Sequence, residues 1–221
     1  MLLIHQIFWN FKGKELNEIP IFNQCVVKTK EFCLHNKYEY KLWDLKDIEE
    51  MIVDFFPEYI CLWTEMRYNI QRCDFARYMI LYKYGGFYID CDVYPVQNLT
   101  SLIHQKSEIF TTWGNDINRK PYNAVIYSEK FNILLIKIME EVQRRVIEKQ
   151  SMKIYDTWIG RLVFYTTGHR MLKPLVPKSS ILDLLMIDNP EKGICISCEN
   201  PYFYDQNISL WYDTTQKSVA K

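Results

Sequence analysis

The chain carries no net charge: 27 lysines and arginines offset 27 aspartates and glutamates over 221 residues. So even a balance gives no general attraction to nucleic acid or to an anionic membrane. No apolar run approaches the roughly 18 residues that a membrane span requires. The N-terminus also lacks a basic region followed by a long apolar core. These absences lead us to expect a soluble, cytoplasmic protein with no transmembrane segment and no nucleic-acid partner. A disulfide framework is missing too, because the seven cysteines are odd in number and irregularly spaced, which fits a reducing compartment. Cys195 and Cys198 form a C-x-x-C, but no second such pair or nearby histidine pair completes a zinc site, so a small buried or strand-borne pair is expected. There is no internal repeat and no low-complexity segment.

What is present is apolar and aromatic. Hydrophobic residues make up 48% of the chain and aromatics 15%, enough to build a substantial core and to exclude disorder. One domain over residues 1–221 is expected. Leu2–Trp9 reads as a first, central strand, Ile21–Asn36 as a helix, and Tyr38–Trp43 as a half-buried strand, a β-α-β beginning. A helix capped by Asp44 or Asp47 follows and ends at Pro57. Further on, Ile109–Trp113 and Asn123–Tyr127 read as strands, with a polar loop over Gly114–Pro121 between them. Phe131–Glu148 reads as an amphipathic helix, Asp156–Thr167 as a second helix, Asp188–Gly193 as a turn, and Ile194–Ser197 as a short strand.

Chemistry concentrates in Arg72–Leu99. Arg72–Tyr84 is helix-compatible and apolar on most faces, and Gly85-Gly86 stops it, because glycine accepts the positive φ of a helix C-cap. Phe87, Tyr88 and Ile89 then form a strand that meets Asp90-Cys91-Asp92, beyond which Val93, Tyr94 and Val96 resume an extended pattern. Two carboxylates at the end of an apolar strand raise each other's pKa unless a cation neutralises them. Oxygen ligands at this spacing favour Mg2+ or Mn2+ and leave most of the coordination sphere open for phosphate oxygens. Cys91 between them is expected to point into the core. In the preceding helix Asp74 and Arg77 lie three residues apart and share a face. They make either a local ion pair or a polar face beside the metal, with Asp74 accepting from a sugar or ribose hydroxyl and Arg77 donating to a ligand oxygen.

D-x-x-R, an apolar helix, Gly-Gly, an aromatic and Tyr-x-Asp-x-Asp together resemble the donor site of the DXD-containing sugar transferases. That group includes initiating mannosyltransferases, capsular and lipopolysaccharide sugar transferases, and the glucosylating domains of clostridial toxins. The resemblance implies an α/β fold of GT-A type, a Rossmann-like mixed sheet flanked by helices. Residues 1–99 would form the nucleotide-sugar half, and residues 100–221 the acceptor half with a tail closing on the donor. Asp74, Arg77, Tyr88, Asp90 and Asp92 match the residues that hold ribose, donor sugar and metal-bound diphosphate. Phe8 and Trp9 match the end of a first strand that meets the nucleotide base, with core packing the alternative for Trp9. Asn123 falls where the family places an asparagine beside the sugar. Thr167-Gly168-His169 stands where relatives often have Thr-Gly-Pro on the acceptor side. Ser209 and Trp211 match a tail Ser-x-Trp that closes over the diphosphate, and Asp205 or Asn207 is offered as a further metal ligand.

The function implied is transfer of a sugar from a nucleoside diphosphate donor, UDP-sugar before GDP-sugar, to a hydroxyl of a glycan, lipid-linked or protein acceptor. Asp90, Asp92 and Arg77 would be its catalytic residues. Retention of anomeric configuration is implied by the resemblance alone, and neither Asp116 nor Asp156 stands out as a nucleophile. Two other readings are open: a haloacid-dehalogenase-type phosphatase with Asp90 as nucleophile, and a non-catalytic nucleotide-sugar-binding module.

Overall fold

The computed structural model describes residues 1–9, 13–104, 106–112, 120–151, 159–189, 193–195 and 203–205. Six strands form a mixed sheet: β1 (Leu3–Ile7), β2 (Glu39–Trp43), β3 (Gly86–Ile89), β5 (Glu108–Thr112), β6 (Pro121–Ser128) and β7 (Ile181–Leu182), in the order β2-β1-β3-β6-β5-β7. β1 runs parallel to β2 and β3, while β6 is antiparallel to both β3 and β5. The first strand is therefore interior, but the centre of the sheet belongs to β3 and β6.

Helix α1 (Pro20–Asn36) makes the first crossover, opening with proline at a position where its missing N–H costs nothing. Asp44 caps α2 (Leu45–Phe55) by accepting from the Asp47 N–H at 2.8 Å. After Pro57 the chain makes a 3-10 turn and the short α3 (Ile60–Glu65). α4 (Asn69–Tyr84) starts earlier than expected because Gln71 Oε1 reaches back to the Tyr68 N–H at 3.2 Å, satisfying a donor at the helix start. Its residues Cys73 through Leu81 are all buried. That enclosure comes from the sheet on one side and, on the other, α6 (Ile133–Ser151), which contributes Leu135, Ile138, Met139 and Val142 to the same core. α7 (Ile159–Thr166) and the one-turn α8 (His169–Leu172) follow.

Gly85 ends α4 at φ +67° and Gly86 opens β3 at φ +93°. A Cβ on Gly86 would lie 2.2 Å from the Leu3 carbonyl oxygen, so the glycine also allows β3 to come close against β1.

Two expectations change. The extended pattern after Asp92 does not continue in the main sheet. Val93 N–H donates to the Asp90 carbonyl at 3.0 Å, closing a turn, and β4 (Val93–Pro95) enters a second sheet of order β4-β10-β8-β9, where β8 is Leu185–Asn189, β9 Gly193–Cys195 and β10 Phe203–Asp205. Nor are Asp188 and Asn189 turn residues: they pair with Ile194 and Gly193 as strand. Turn-rich composition around residues 190–192 hides this, since the pairing is formed by the residues on either side. Both sheets draw strands from both sides of residue 99. Among the described residues no helix is long and apolar enough to cross a membrane.

Candidate active site around the aspartate turn

β3 delivers Asp90 to the C-terminal edge of the sheet, and the register fixes what surrounds it. Ile89 pairs with Val125 of β6, and the Asp90 N–H donates to the Ala124 carbonyl at 2.8 Å. Asn123 therefore stands beside the turn, and α4, packed against β3 and β6, brings Asp74 and Arg77 to the same place.

These groups form one network. Arg77 Nη2 lies 2.8 Å from Asp74 Oδ1 and 3.3 Å from Asp90 Oδ1, while Nη1 donates to the Asn123 carbonyl at 2.5 Å. The guanidinium carbon sits 4.6 Å from the Tyr88 ring centre, and the Tyr88 hydroxyl donates to Asp90 Oδ1 at 2.6 Å. Asp74 also accepts from Asn123 Nδ2 at 2.9 Å and from the Thr167 hydroxyl at 2.8 Å. Asp74 and Arg77 are thus more than a local ion pair, because one guanidinium serves carboxylates on two elements. Both are buried, Asp74 4% and Arg77 2% exposed. Arg77 Nε is buried and has no hydrogen-bond partner among the described residues.

Burial pushes the Asp74 carboxyl up to about 6, against the pull of Arg77 and of the Thr167 and Asn123 hydrogen bonds. Burial also raises Asp90, with Arg77 and Tyr88 opposing. For Arg77 burial works against the charge, but Asp90, Tyr88 and Asp74 outweigh it and hold the guanidinium protonated.

The Asp90 side chain is 27% exposed, and its bonds to Arg77 and Tyr88 all fall on Oδ1, which leaves Oδ2 without a partner among the described residues. Asp92 is half-buried. Cys91 between them turns inward, its thiol donating to the Ile7 carbonyl at 3.1 Å. An all-oxygen pair with an open side suits Mg2+ or Mn2+. Among the described residues no group of three carboxylates, histidines or cysteines completes a metal site. Asp205 pairs along the backbone with Val93, so β10 runs beside the turn.

Two further expected site residues, Phe8 and Trp9, follow the end of β1. Phe8 and Trp9 are each 7% exposed. Phe8 meets the Phe22 ring edge-on and Trp9 meets Trp63, with the Trp9 indole N–H buried and unpartnered among the described residues. Asn207, Ser209, Trp211, Asp116, Asp156 and Cys198 lie outside the described residues. Three participants are not among the donor or metal residues that the sequence singles out. Gln6 donates to the turn carbonyls of Asp90 and Val93 at 3.2 and 3.4 Å. Thr167 holds Asp74, and Tyr78 fixes Thr167 by donating to its carbonyl at 2.8 Å. Only Thr167 carries a signal, through its Thr-Gly pair.

A family described as "Glycosyltransferase sugar-binding region containing DXD motif" matches residues 18–109. Inositol phosphoceramide mannosyltransferase 3 of Schizosaccharomyces pombe is 33% identical over 144 residues, covering 64% of this chain and 37% of that enzyme. Mannosyltransferase 2 of the same name and organism is 41% identical over 102 residues, 46% of this chain and 30% of its own. An uncharacterized glycosyltransferase of Acanthamoeba polyphaga mimivirus is 28% identical over 220 residues, covering 95% of this chain and 82% of that protein. The chain therefore spans only about a third of the two yeast enzymes it matches. Two solved structures are similar at 15% identity. PaToxG glycosyltransferase has a TM-score of 0.47, covering 78% of this chain and 67% of its own. A glycosyltransferase involved in glycosylation of the major capsid of PBCV-1 has a TM-score of 0.49, covering 95% of each chain. The matched region contains Asp74, Arg77, Tyr88, Asp90 and Asp92, and over residues 18–109 the chain is similar to the sugar-binding region of the DXD-containing glycosyltransferases.

Proposed function

We propose that this chain transfers a sugar from a nucleoside diphosphate sugar to a hydroxyl of a glycan, lipid-linked or protein acceptor, using Mn2+ or Mg2+ held by Asp90 and Asp92. The observation that carries the reading is the half-exposed turn itself. Among the described residues Asp90 Oδ2 has no partner, and the Arg77 guanidinium in contact with Asp90 is shared with Asp74. That arrangement leaves negative charge for a cation and a diphosphate to complete.

In the reaction the bond from the anomeric carbon to the phosphate oxygen breaks, and its electron pair stays on the diphosphate. The acceptor hydroxyl oxygen forms the new bond, and its proton passes to the departing diphosphate oxygen. Asp90 and Asp92 would hold a divalent cation, which would supply positive charge to the diphosphate. Arg77 is fixed before substrate arrives by Asp74, Asp90 and the Asn123 carbonyl, so orienting it costs nothing when charge develops. Tyr88 holds Asp90 Oδ1 inward and so directs Oδ2 outward. Asp74, already bonded to Arg77, Asn123 and Thr167, orients the guanidinium and the asparagine. Ser209 and Trp211 would close on the donor, and Asp205 or Asn207 would add a ligand. Same-face attack with retention is the stereochemistry implied by the family.

The fission-yeast relatives are named for mannose and inositol phosphoceramide, so mannose nucleotides belong in the donor panel beside UDP-sugars. The test is thermal stability with UDP- and GDP-sugars, with and without Mn2+, in wild type and Asp92→Ala. A Mn2+-dependent rise with one nucleotide class, lost in the variant, is expected. No rise with any donor would refute the proposal.

A further inference from the structure

Gln6 lies in the first strand, outside the family match of residues 18–109, and is fully buried. A buried primary amide is costly unless each of its polar atoms is paired. All of Gln6's are, and the partners fix which way the amide points. Nε2 faces two carbonyl oxygens, of Asp90 at 3.2 Å and Val93 at 3.4 Å, which can only accept. Oε1 accepts the Tyr40 hydroxyl of the neighbouring strand at 2.9 Å. A flipped amide would set oxygen against oxygen at the two turn carbonyls and would oblige the Tyr40 hydroxyl to accept in place of donating.

The two carbonyls are the ends of the turn that carries the aspartates. Asp90 C=O also takes the Val93 N–H, so a single nitrogen clamps both ends of one closed turn. Next along the same strand, the Ile7 carbonyl receives the Cys91 thiol. The turn is thus tied to β1 at Asp90, Cys91 and Val93, on both sides of Asp92. We propose that Gln6, locked by Tyr40, is the positioning residue of the metal-binding turn: its amide fixes the separation and orientation of the Asp90 and Asp92 carboxylates. The inference rests on the proposed metal site, though not on the choice of sugar or acceptor.

The test titrates Mn2+ alone into the full chain, following the paramagnetic signal of free Mn2+, with urea unfolding in EDTA run in parallel. Partners that orient metal ligands commonly change metal affinity by about 10–100-fold. Gln6→Met removes the clamp at similar volume and is expected to weaken Mn2+ binding at least about tenfold. Tyr40→Phe keeps the amide but frees it to rotate, and is expected to weaken binding by a smaller factor at nearly unchanged stability in EDTA. Lost stability with wild-type Mn2+ affinity in both variants would mark a merely structural amide and overturn the proposal. If Gln6→Met does not fold, Tyr40→Phe decides alone: weakened binding supports the proposal, and unchanged binding overturns it. A wild type that binds no Mn2+ also overturns it. A wild type that binds Mn2+ but no sugar nucleotide refutes the transferase reading, while the comparison of variants still stands.

Discussion

Nη2 of Arg77 stands 2.8 Å from Asp74 Oδ1 on its own helix and 3.3 Å from Asp90 Oδ1 on the adjoining strand end. Because Asp74 is 4% exposed, the guanidinium is what allows its carboxylate to stay ionised inside the core. Arg77→Met should therefore destabilise the fold by about 3–5 kcal/mol, the usual cost of leaving one partner of a buried pair uncompensated. Arg77→Met combined with Asp74→Asn should recover much of that loss. Urea unfolding of the single and double variants measures it, and an additive double variant would show that the two residues are not coupled.

The elements that carry this pair are legible in the sequence, because helix, Gly-Gly and strand are each specified by neighbouring residues. Which helix faces pack and which strands pair is not. Nothing local in Val93–Pro95 says that it leaves the main sheet to pair with Phe203–Asp205, since partners so distant in the chain are chosen by the core that forms between them. For the same reason Arg77 reads locally as a partner of Asp74, while its contact with Asp90 requires the packing of α4 on β3. Gln6 reads only as a polar residue in an apolar strand. Its meaning lies in the turn carbonyls it reaches, more than eighty residues away.

Gly86 offers a steric prediction. With φ at +93° and the Leu3 carbonyl oxygen 2.2 Å from the position of a Cβ, Gly86→Ala forces β1 and β3 apart. Overpacking of about 1–3 kcal/mol adds to a backbone penalty of about 1–2 kcal/mol. Gly13 also has positive φ, +71°, but no described residue other than its chain neighbours lies within 4 Å of its Cβ position, so Gly13→Ala carries the backbone penalty alone. Urea midpoints should fall by clearly more for Gly86→Ala. Equal losses would mean that β3 yields without cost.

His5 makes stability depend on acidity. It is fully buried, accepts from the Trp43 indole at Nδ1 and donates from Nε2 to the Gly85 carbonyl, and burial lowers its pKa to about 4, the carbonyl bond acting in the opposite sense. Between 6.5 and 4 the unfolded chain takes a proton that the folded chain refuses, so the contribution is full above 6.5 and is lost as pH falls through that window. The total is about 3 kcal/mol. Asp74, raised to about 6, acts in the opposite direction over an overlapping range, which makes the difference between wild type and His5→Gln the informative quantity. His5→Gln should flatten the acid slope. Parallel pH profiles would show that His5 does not titrate with folding.

Asp90 and Asp92 should separate stability from metal binding. Asp74 and Asp90 compete for one guanidinium nitrogen, so without metal the second carboxylate adds repulsion along with its hydrogen bonds. An asparagine at position 90 can still accept from Tyr88 and Arg77 while leaving the full guanidinium charge to Asp74. Asp90→Asn in EDTA should therefore be neutral or stabilising by up to about 1 kcal/mol, the pattern of a residue kept for function at some expense of stability. Asp92→Asn, at a half-buried turn position, should be close to neutral. Both should abolish the thermal stabilisation by Mn2+ expected of wild type. If Asp90→Asn instead costs more than about 2 kcal/mol in EDTA, Asp90 is chiefly an anchor for Arg77, because only a lost buried charge pair reaches that size at this position.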